Sequence, residues 1–444
     1  MRTIEGFPYA AVQFTKDGAV HDRGEADALQ QTVAESGCTD LLVLSHGWNN
    51  TMAQAERLYT DLLGLLRGQL TAGRVGGLGD RRFAALGLLW PSKKFAPSEL
   101  TASGAAGTAS AVSHEELARQ LRELAELIDE PAATAEIEKA RDLIPQLEDS
   151  AAARREFADL LRAAATAPAS PSAVEDADAS TDLFALPGDA VMSRLARPVL
   201  PAPPSRTGGG GAASIGSAAG GVRNFFAGGP LGAGRNLANF LTYYKMKERA
   251  GTVGSAGAYE VLAQAQQSHP GLRLHLAGHS FGARLVTAAT AGPPGRPPLR
   301  PASLTLLQAA FSHYSFAENY DGGKDGAFLR VVKERLVSGP ILITHTVNDV
   351  AVGIAYPLAS LLRNQVANGL GDKNDRFGGL GRNGAQKTAN VQEGDLLAVG
   401  GTYAFEPGRV HNLRADQFIS DHGAVATEQT AYALLTAIAS TPTG

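Results

Sequence analysis

The chain has 444 residues, of which 44% are hydrophobic and 19% charged, and its formal net charge is −4. The length allows one or several domains with a sizeable core, and the absence of a basic cluster argues against nucleic-acid binding. The single cysteine, Cys38, excludes an internal disulfide and argues against a cysteine-based metal site.

The amino terminus carries no basic segment followed by a short apolar segment, and no run of eighteen apolar residues occurs anywhere in the chain. The sequence therefore predicts neither a secretory signal peptide nor a transmembrane helix. The cytoplasm is the expected location, consistent with the single cysteine.

The first ninety residues alternate between strand and helix patterns. Strands are predicted at 9–14, 40–45 and 83–90, and the last two are almost entirely apolar, as strands buried on both faces are. Apolar residues at helical spacing predict a helix at 51–70. The start of the chain is therefore typical of an α/β sheet.

The pattern changes between residues 92 and 239, which we interpret as an insertion. Residues 113–165 predict two or three amphipathic helices, 167–182 a linker, and the glycine-rich stretch 205–236 a loop. The glycine-rich stretch lacks the lysine of a phosphate-binding loop. The insertion is a candidate lid or cap. Four leucines at helical spacing form a stripe in this insertion, and such a stripe is more typical of core or lid packing than of a partner-binding site. The stripe consists of Leu117, Leu121, Leu124 and Leu127.

The alternation of strands and helices returns after residue 240. The predicted segments are helices 236–251, 258–267, 282–290 and 424–439, strands 272–278, 303–311 and 339–346, and a strand or hairpin within 402–413. Alternating strands and helices predict a doubly wound, mostly parallel sheet. We therefore expect one α/β core made of residues 1–91 and 240–444.

One short motif stands between a predicted strand and a predicted helix: Gly278-His279-Ser280-Phe281-Gly282. A serine on such a sharp turn presents its hydroxyl above the sheet, and flanking glycines relieve the resulting clash. The amino terminus of the following helix favours negative charge at the same place. The motif predicts that Ser280 is a nucleophile.

A nucleophilic serine needs an acid and a base later in the chain, each in a loop after a strand. Asp349 follows the predicted strand 339–346 directly, and His422 lies in the loop before the last helix. Their rivals fit less well. Four aspartates lie in glycine-rich loops away from a strand end, and one histidine lies on a predicted strand. These rivals are Asp321, Asp325, Asp372, Asp375 and His411.

An oxyanion hole should take one N–H from the residue after the nucleophile, Phe281, and one from a loop after an early strand. The sequence His46-Gly47-Trp48 supplies that loop, with Gly47 allowing the Trp48 N–H to face the site. His46 itself is better interpreted as a histidine bonded to backbone at a strand end.

A metal site is not predicted. Four histidines could cluster in space, but their spacing matches no metal-binding motif. They are His46, His279, His313 and His345. No metal and no other cofactor is expected.

These motifs together resemble the α/β-hydrolase superfamily. The segments around His46-Gly47, at 88–92 and around Ser280 look like the poorly characterised bacterial α/β hydrolases of the DUF900-like group. The resemblance covers roughly 1–91 and 240–440 and leaves out the insertion. It implies an α/β-hydrolase fold and a serine hydrolase with Ser280 as nucleophile, His422 as base and Asp349 as acid.

The leading hypothesis is hydrolysis of a small-molecule carboxylic ester through an acyl-enzyme. The same three residues would also serve an amidase, a peptidase or an acyltransferase. A third class is a non-catalytic scaffold for partner binding, in which a member of the triad would be missing. The sequence sets neither the substrate nor the oligomeric state.

Overall fold

The computed structural model describes residues 1–92, 112–165, 186–196, 228–349, 351–352, 373 and 378–441. The chain divides into two compact units. The first consists of Met1–Ser92, Lys247–Val352 and Gly379–Gly444, and the second consists of Lys93–Met246 and Gly353–Gly378.

The first unit is a mixed α/β structure with a nine-stranded sheet. Its strands are β1 (Arg2–Ile4), β2 (Phe7–Gln13), β3 (Asp40–Ser45), β4 (Phe83–Leu89), β5 (Arg273–His279), β6 (Ser303–Leu307), β7 (Ile341–His345), β8 (Val391–Asp395) and β9 (Val410–Arg414). Their spatial order is β1-β2-β4-β3-β5-β6-β7-β9-β8, and every neighbouring pair is parallel except β1 and β2. The sheet is therefore mostly parallel, as the sequence predicts.

Strand β3 is fully buried, and its neighbours on the two sides are β4 and β5. The chain places β4 on one side of β3 and then β5 on the other side, so the strand order reverses between β3 and β5. In open parallel sheets, ligands bind outside the carboxyl ends of strands at such a reversal. We therefore expect a ligand-binding site at the loops after β3 and β5.

The helices of the first unit include α1 (Arg23–Ser36), α2 (Met52–Thr71), α8 (Tyr259–Ser268), α9 (Phe281–Ala291), α10 (Leu329–Lys333), α11 (Leu380–Asn383) and α12 (Glu428–Ala439). Helices α2 and α12 share a hydrophobic core with the sheet residues Leu42 and Leu44. Leu41 and Val43 point to the opposite face, because side chains alternate along a strand, and they are also buried. Both faces of β3 are therefore covered.

The described helices of the second unit are α3 (His114–Ile128), α4 (Pro131–Asp142), α5 (Ala151–Ala165), α6 (Gly188–Leu195) and the first part of α7 (Gly229–Val253), through Met246. Ser113 caps α3 by accepting the Glu116 N–H, and the predicted leucine stripe of α3 is buried.

Several elements differ from the sequence prediction. Residues 229–236, predicted as part of a glycine-rich loop, begin helix α7, and Leu237 and Leu241 of that helix are fully buried. The predicted linker 167–182 and the stretch 205–227 lie outside the described residues. Strand β8 was not predicted because its sequence, Val-Gln-Glu-Gly-Asp, is polar and half exposed at the margin of the sheet.

The amino-terminal strand prediction was also incomplete, because residues 2–13 form an antiparallel hairpin, not one strand. The turn of this hairpin places Glu5 and Gly6 at positive φ. No helix among the described residues is long and apolar enough to cross a membrane.

Candidate active site

The serine turn between β5 and α9 has the strained backbone that its sequence predicts. Ser280 has φ 57° and ψ −123°, a backbone conformation that residues other than glycine rarely adopt. Its N–H donates to the Leu307 carbonyl (3.0 Å), and its carbonyl accepts the Ala310 N–H (3.2 Å). The end of β6 therefore holds the strained turn in place.

The two glycines of the motif are required by close backbone approach. A Cβ on Gly278 would lie 2.4 Å from the Gly282 carbonyl oxygen, and a Cβ on Gly282 would lie 2.3 Å from the Ser45 carbonyl oxygen. Real Cβ atoms do not approach so closely. Helix α9 therefore begins in direct backbone contact with the end of β3, which no other residue type would permit.

Ser280, His422 and Asp349 form one hydrogen-bonded chain. Nε2 of His422 lies 2.8 Å from Oγ of Ser280, and Nδ1 of His422 lies 2.9 Å from Oδ2 of Asp349. Asp349 is fully buried and also accepts the Val352 N–H at Oδ1 (2.9 Å). With Nδ1 donating to the carboxylate, Nε2 is the acceptor for the serine hydroxyl proton.

The electrostatics of this chain raise the pKa of His422. Burial lowers the pKa of His422, but the charge of Asp349, its hydrogen bond and the charge of Asp421 together raise that pKa above its usual value. The His422 side chain is 24% exposed, whereas Asp349 is not exposed at all. The imidazole can therefore accept a proton from Ser280 and keep the resulting charge beside a buried carboxylate.

The acid and base loops are joined to each other. The Thr346 hydroxyl donates to Asp416 Oδ1 (2.7 Å), and the Asn348 amide donates to the carbonyls of Asp416 (3.1 Å) and Ile419 (2.9 Å). Sequence reasoning missed these residues. The Asn before Asp349 and the Asp six residues before His422 were the only available signals.

The loop after β3 lies directly against the serine. A Cβ on Gly47 would lie 2.7 Å from Ser280 Cβ, so this glycine is needed for close approach. The left-handed φ in this loop belongs to Asn49, at 67°, and not to Gly47. The rings of Trp48 and Phe281 lie 6.2 Å apart. The two predicted oxyanion residues are thus neighbours at the turn, and their N–H groups remain the predicted donors.

His46 fixes the position of that loop. Its Nδ1 lies 2.9 Å from the Gly47 carbonyl, its Nε2 accepts the Trp90 N–H (3.2 Å), and its carbonyl accepts the Trp90 indole N–H (2.9 Å). The ring also stacks on Trp90. Burial lowers the pKa of His46 to about 4, so this imidazole is neutral at ordinary pH.

Two of the rival residues, Asp325 and His411, have hydrogen-bond partners outside the chain of Ser280, His422 and Asp349. Asp325 accepts the Asn319 N–H in a local turn, and His411, on β9, is bonded to the Glu406 N–H. Asp321 lies in the same surface loop as Asp325, and Asp372 and Asp375 fall outside the described residues. Among the described side chains, no three His, Cys, Asp or Glu residues are grouped as metal ligands.

A second chain of the same residue types lies at the other end of the sheet. Nε2 of His275 lies 2.8 Å from Oδ1 of Asp40, and Nδ1 of His275 lies 2.9 Å from Oγ of Ser303. Arg81 and Arg273 also donate to the Asp40 carboxylate. Burial raises the pKa of Asp40, but the hydrogen bonds from His275, Arg273 and Thr39 outweigh it and hold that pKa well below its usual value.

The comparison with known proteins adds no relative to this picture. No protein-family model matches the chain, and no curated protein or solved structure matches it significantly.

Proposed function

We propose that the protein is a serine hydrolase of the α/β-hydrolase type that cleaves small carboxylic esters through an acyl-enzyme. The observation that carries the proposal is the chain from Ser280 through His422 to Asp349, with contacts of 2.8 and 2.9 Å. The strained serine turn between a strand and a helix, and the chain order Ser, Asp, His, support this fold type.

In the proposed mechanism, His422 takes the Ser280 proton as Oγ attacks the ester carbonyl carbon. The N–H groups of Phe281 and Trp48 stabilise the oxyanion of the tetrahedral intermediate. His422 then protonates the departing alcohol, which leaves an ester on Ser280. A water molecule, deprotonated by His422, attacks the acyl carbon. The bond from that carbon to Ser280 Oγ then breaks, His422 returns the proton to Oγ, and the acid is released.

A fluorophosphonate probe tests the proposal directly, because it phosphonylates only an activated serine. We expect rapid labelling of the wild-type protein and none of Ser280→Ala. Ser303→Ala is the matched control, because Ser303 is also bonded to a histidine that is bonded to an aspartate. Labelling that persists in Ser280→Ala, or disappears in Ser303→Ala, would contradict the assignment.

Turnover of p-nitrophenyl acyl esters, compared with p-nitroanilides of the same acids, tests the ester preference. We expect ester hydrolysis to depend on Ser280 and to exceed amide hydrolysis. The reverse order would favour an amidase with the same residues.

A further inference from the structure

The residue before the serine contacts the base. His279, the last residue of β5, has Nε2 2.7 Å from the main-chain carbonyl oxygen of His422, and the two rings lie 4.9 Å apart. A carbonyl oxygen can only accept, so Nε2 of His279 carries a proton and donates it. Residues 279–280 are therefore hydrogen-bonded to His422 twice, once from the Ser280 side chain and once from the His279 side chain.

The chemistry of His279 is that of a fixed neutral donor. Its Nδ1 is buried and has no hydrogen-bond partner among the described residues. Burial, with smaller contributions from His422 and His46, lowers the pKa of His279 to about 3 despite the bond to the carbonyl. The imidazole therefore stays in one tautomer and carries no charge that would oppose protonation of His422.

The bond matters most when the serine no longer holds the base. In the acyl-enzyme, Ser280 Oγ is esterified and has no proton to donate to His422 Nε2. The imidazole must nevertheless stay above the acyl carbon to deprotonate water. Of the two links between residues 279–280 and His422, the bond from His279 is the one that does not involve the reacting oxygen.

We propose that His279 is a positioning residue that holds the His422 carbonyl and thereby keeps the base aligned with the Ser280 oxygen, above all during deacylation. This inference rests on the proposed hydrolase function. It concerns the alignment of the base and adds no group that touches the substrate.

Two substitutions separate the hydrogen bond from the volume of the side chain. His279→Gln keeps an N–H donor near the position of Nε2, whereas His279→Leu has comparable bulk and no donor. We expect His279→Leu to lower kcat about 10- to 100-fold with little change in KM, because small displacements of a reacting group have effects of this size. We expect His279→Gln to restore most of the loss.

Mass spectrometry of the intact protein during turnover of an acyl ester identifies which step of the reaction the substitution slows. Acyl-enzyme should accumulate in His279→Leu and not in His279→Gln. His411→Leu is the control, because His411 is also a buried histidine whose Nε2 is bonded to main chain, on β9. It should change neither kcat nor the acyl-enzyme level. An unchanged kcat in His279→Leu, or equal losses in the Leu and Gln variants, would overturn the proposal.

Hydrogen exchange provides a readout that does not need catalysis. The backbone amides near His422 should exchange faster in His279→Leu than in wild type or His279→Gln, and unchanged exchange would also overturn the proposal. If the wild-type protein shows no Ser280-dependent labelling, the hydrolase function itself fails. The exchange comparison then still decides whether His279 restrains the loop.

Discussion

Two chains of Asp, His and Ser side chains lie at opposite ends of the same parallel sheet. One joins Asp349, His422 and Ser280 after the carboxyl ends of the strands, and the other joins Asp40, His275 and Ser303 at the amino ends of β3, β5 and β6. Their hydrogen-bond distances differ by no more than about a tenth of an ångström, since both fall at 2.8 to 2.9 Å. Hydrogen bonding alone therefore does not distinguish them.

The surroundings of the two imidazoles do distinguish them. The His275 side chain is only 2% exposed, and its pKa is lowered first by burial and further by Arg81 and Arg273, although Asp40 opposes these effects. The pKa of His422 is raised. The pKa values of the two imidazoles therefore shift in opposite directions.

The two serines differ in backbone geometry. Ser303 begins a buried strand, whereas Ser280 stands at positive φ on a turn that opens a helix. The second arrangement is the one expected of a nucleophile in the proposed fold type, because a strained turn and a helix amino terminus meet at the hydroxyl. Charge, access and backbone geometry together separate a candidate catalytic site from a structural network.

The largest expected effect comes from Asp349→Asn. The amide removes the charge and favours the wrong imidazole tautomer, so kcat for ester hydrolysis should fall by about 10³- to 10⁴-fold. Asp40→Asn should leave kcat per folded molecule unchanged. Steady-state kinetics on both variants, with the folded fraction measured by circular dichroism, checks the contrast. Similar losses of kcat in the two variants would contradict a catalytic role for Asp349 and a structural role for Asp40.

The second prediction concerns stability. Asp40→Asn leaves the buried Arg81 and the partly buried Arg273 without their counter-charge, and breaking such a pair costs about 3–5 kcal/mol of unfolding free energy. Asp395→Asn is the control, because the Asp395–Arg414 pair is more than half exposed and exposed pairs contribute about 0–1 kcal/mol. Urea unfolding measures both, and equal losses would contradict a structural role for Asp40.

The third prediction tests the contact between the β3 loop and the serine. A methyl group at Gly47 would overlap Ser280 Cβ, so one of the two residues must move. Gly47→Ala should lower kcat by roughly 100-fold, as displacements of about an ångström do. Gly271→Ala, where nothing lies within 4 Å of the new methyl group, should behave like wild type. A fully active Gly47→Ala would show that this close approach is not needed for catalysis.

The smallest expected effect is a shift in pH dependence. His422 must be neutral to act as a base, so kcat/KM should rise with pH through a midpoint above the usual histidine pKa of about 6.5. Asp421 contributes to that raised pKa, and Asp421→Asn keeps the oxygen that accepts the Gly423 N–H. The variant's midpoint should therefore be lower. An unchanged midpoint would show that Asp421 does not contribute to the raised pKa of His422.

The sequence predicted the order of the core elements because buried parallel strands are almost continuously apolar. The ranges predicted for β3 and for helix α2 agree with the structure to within a residue. The same patterning could not reveal β8, which is polar. It also could not place the beginning of α7, because glycine lowers helix propensity and the burial of Leu237 and Leu241 compensates for it.

The candidate site could be predicted at the residues that a local sequence pattern identifies. Ser280 is identified by its flanking glycines, and Asp349 by the strand that it follows. The supporting contacts were not predictable, because they join residues far apart in the chain. His279 bonds to a carbonyl 143 residues later, and His275 bonds to an aspartate 235 residues earlier. The residues around His279 and His275 in the sequence do not indicate that the first binds the His422 carbonyl and the second binds Asp40.

The separation of His279 from its partner also has a consequence for synthesis. A ribosome makes the turn around Ser280 long before it reaches His422, which lies 142 positions later. A nascent chain that carries only the turn has neither the proposed base nor the carbonyl that His279 binds. Under the proposed hydrolase function, Ser280 therefore has no base to activate it until translation has passed His422.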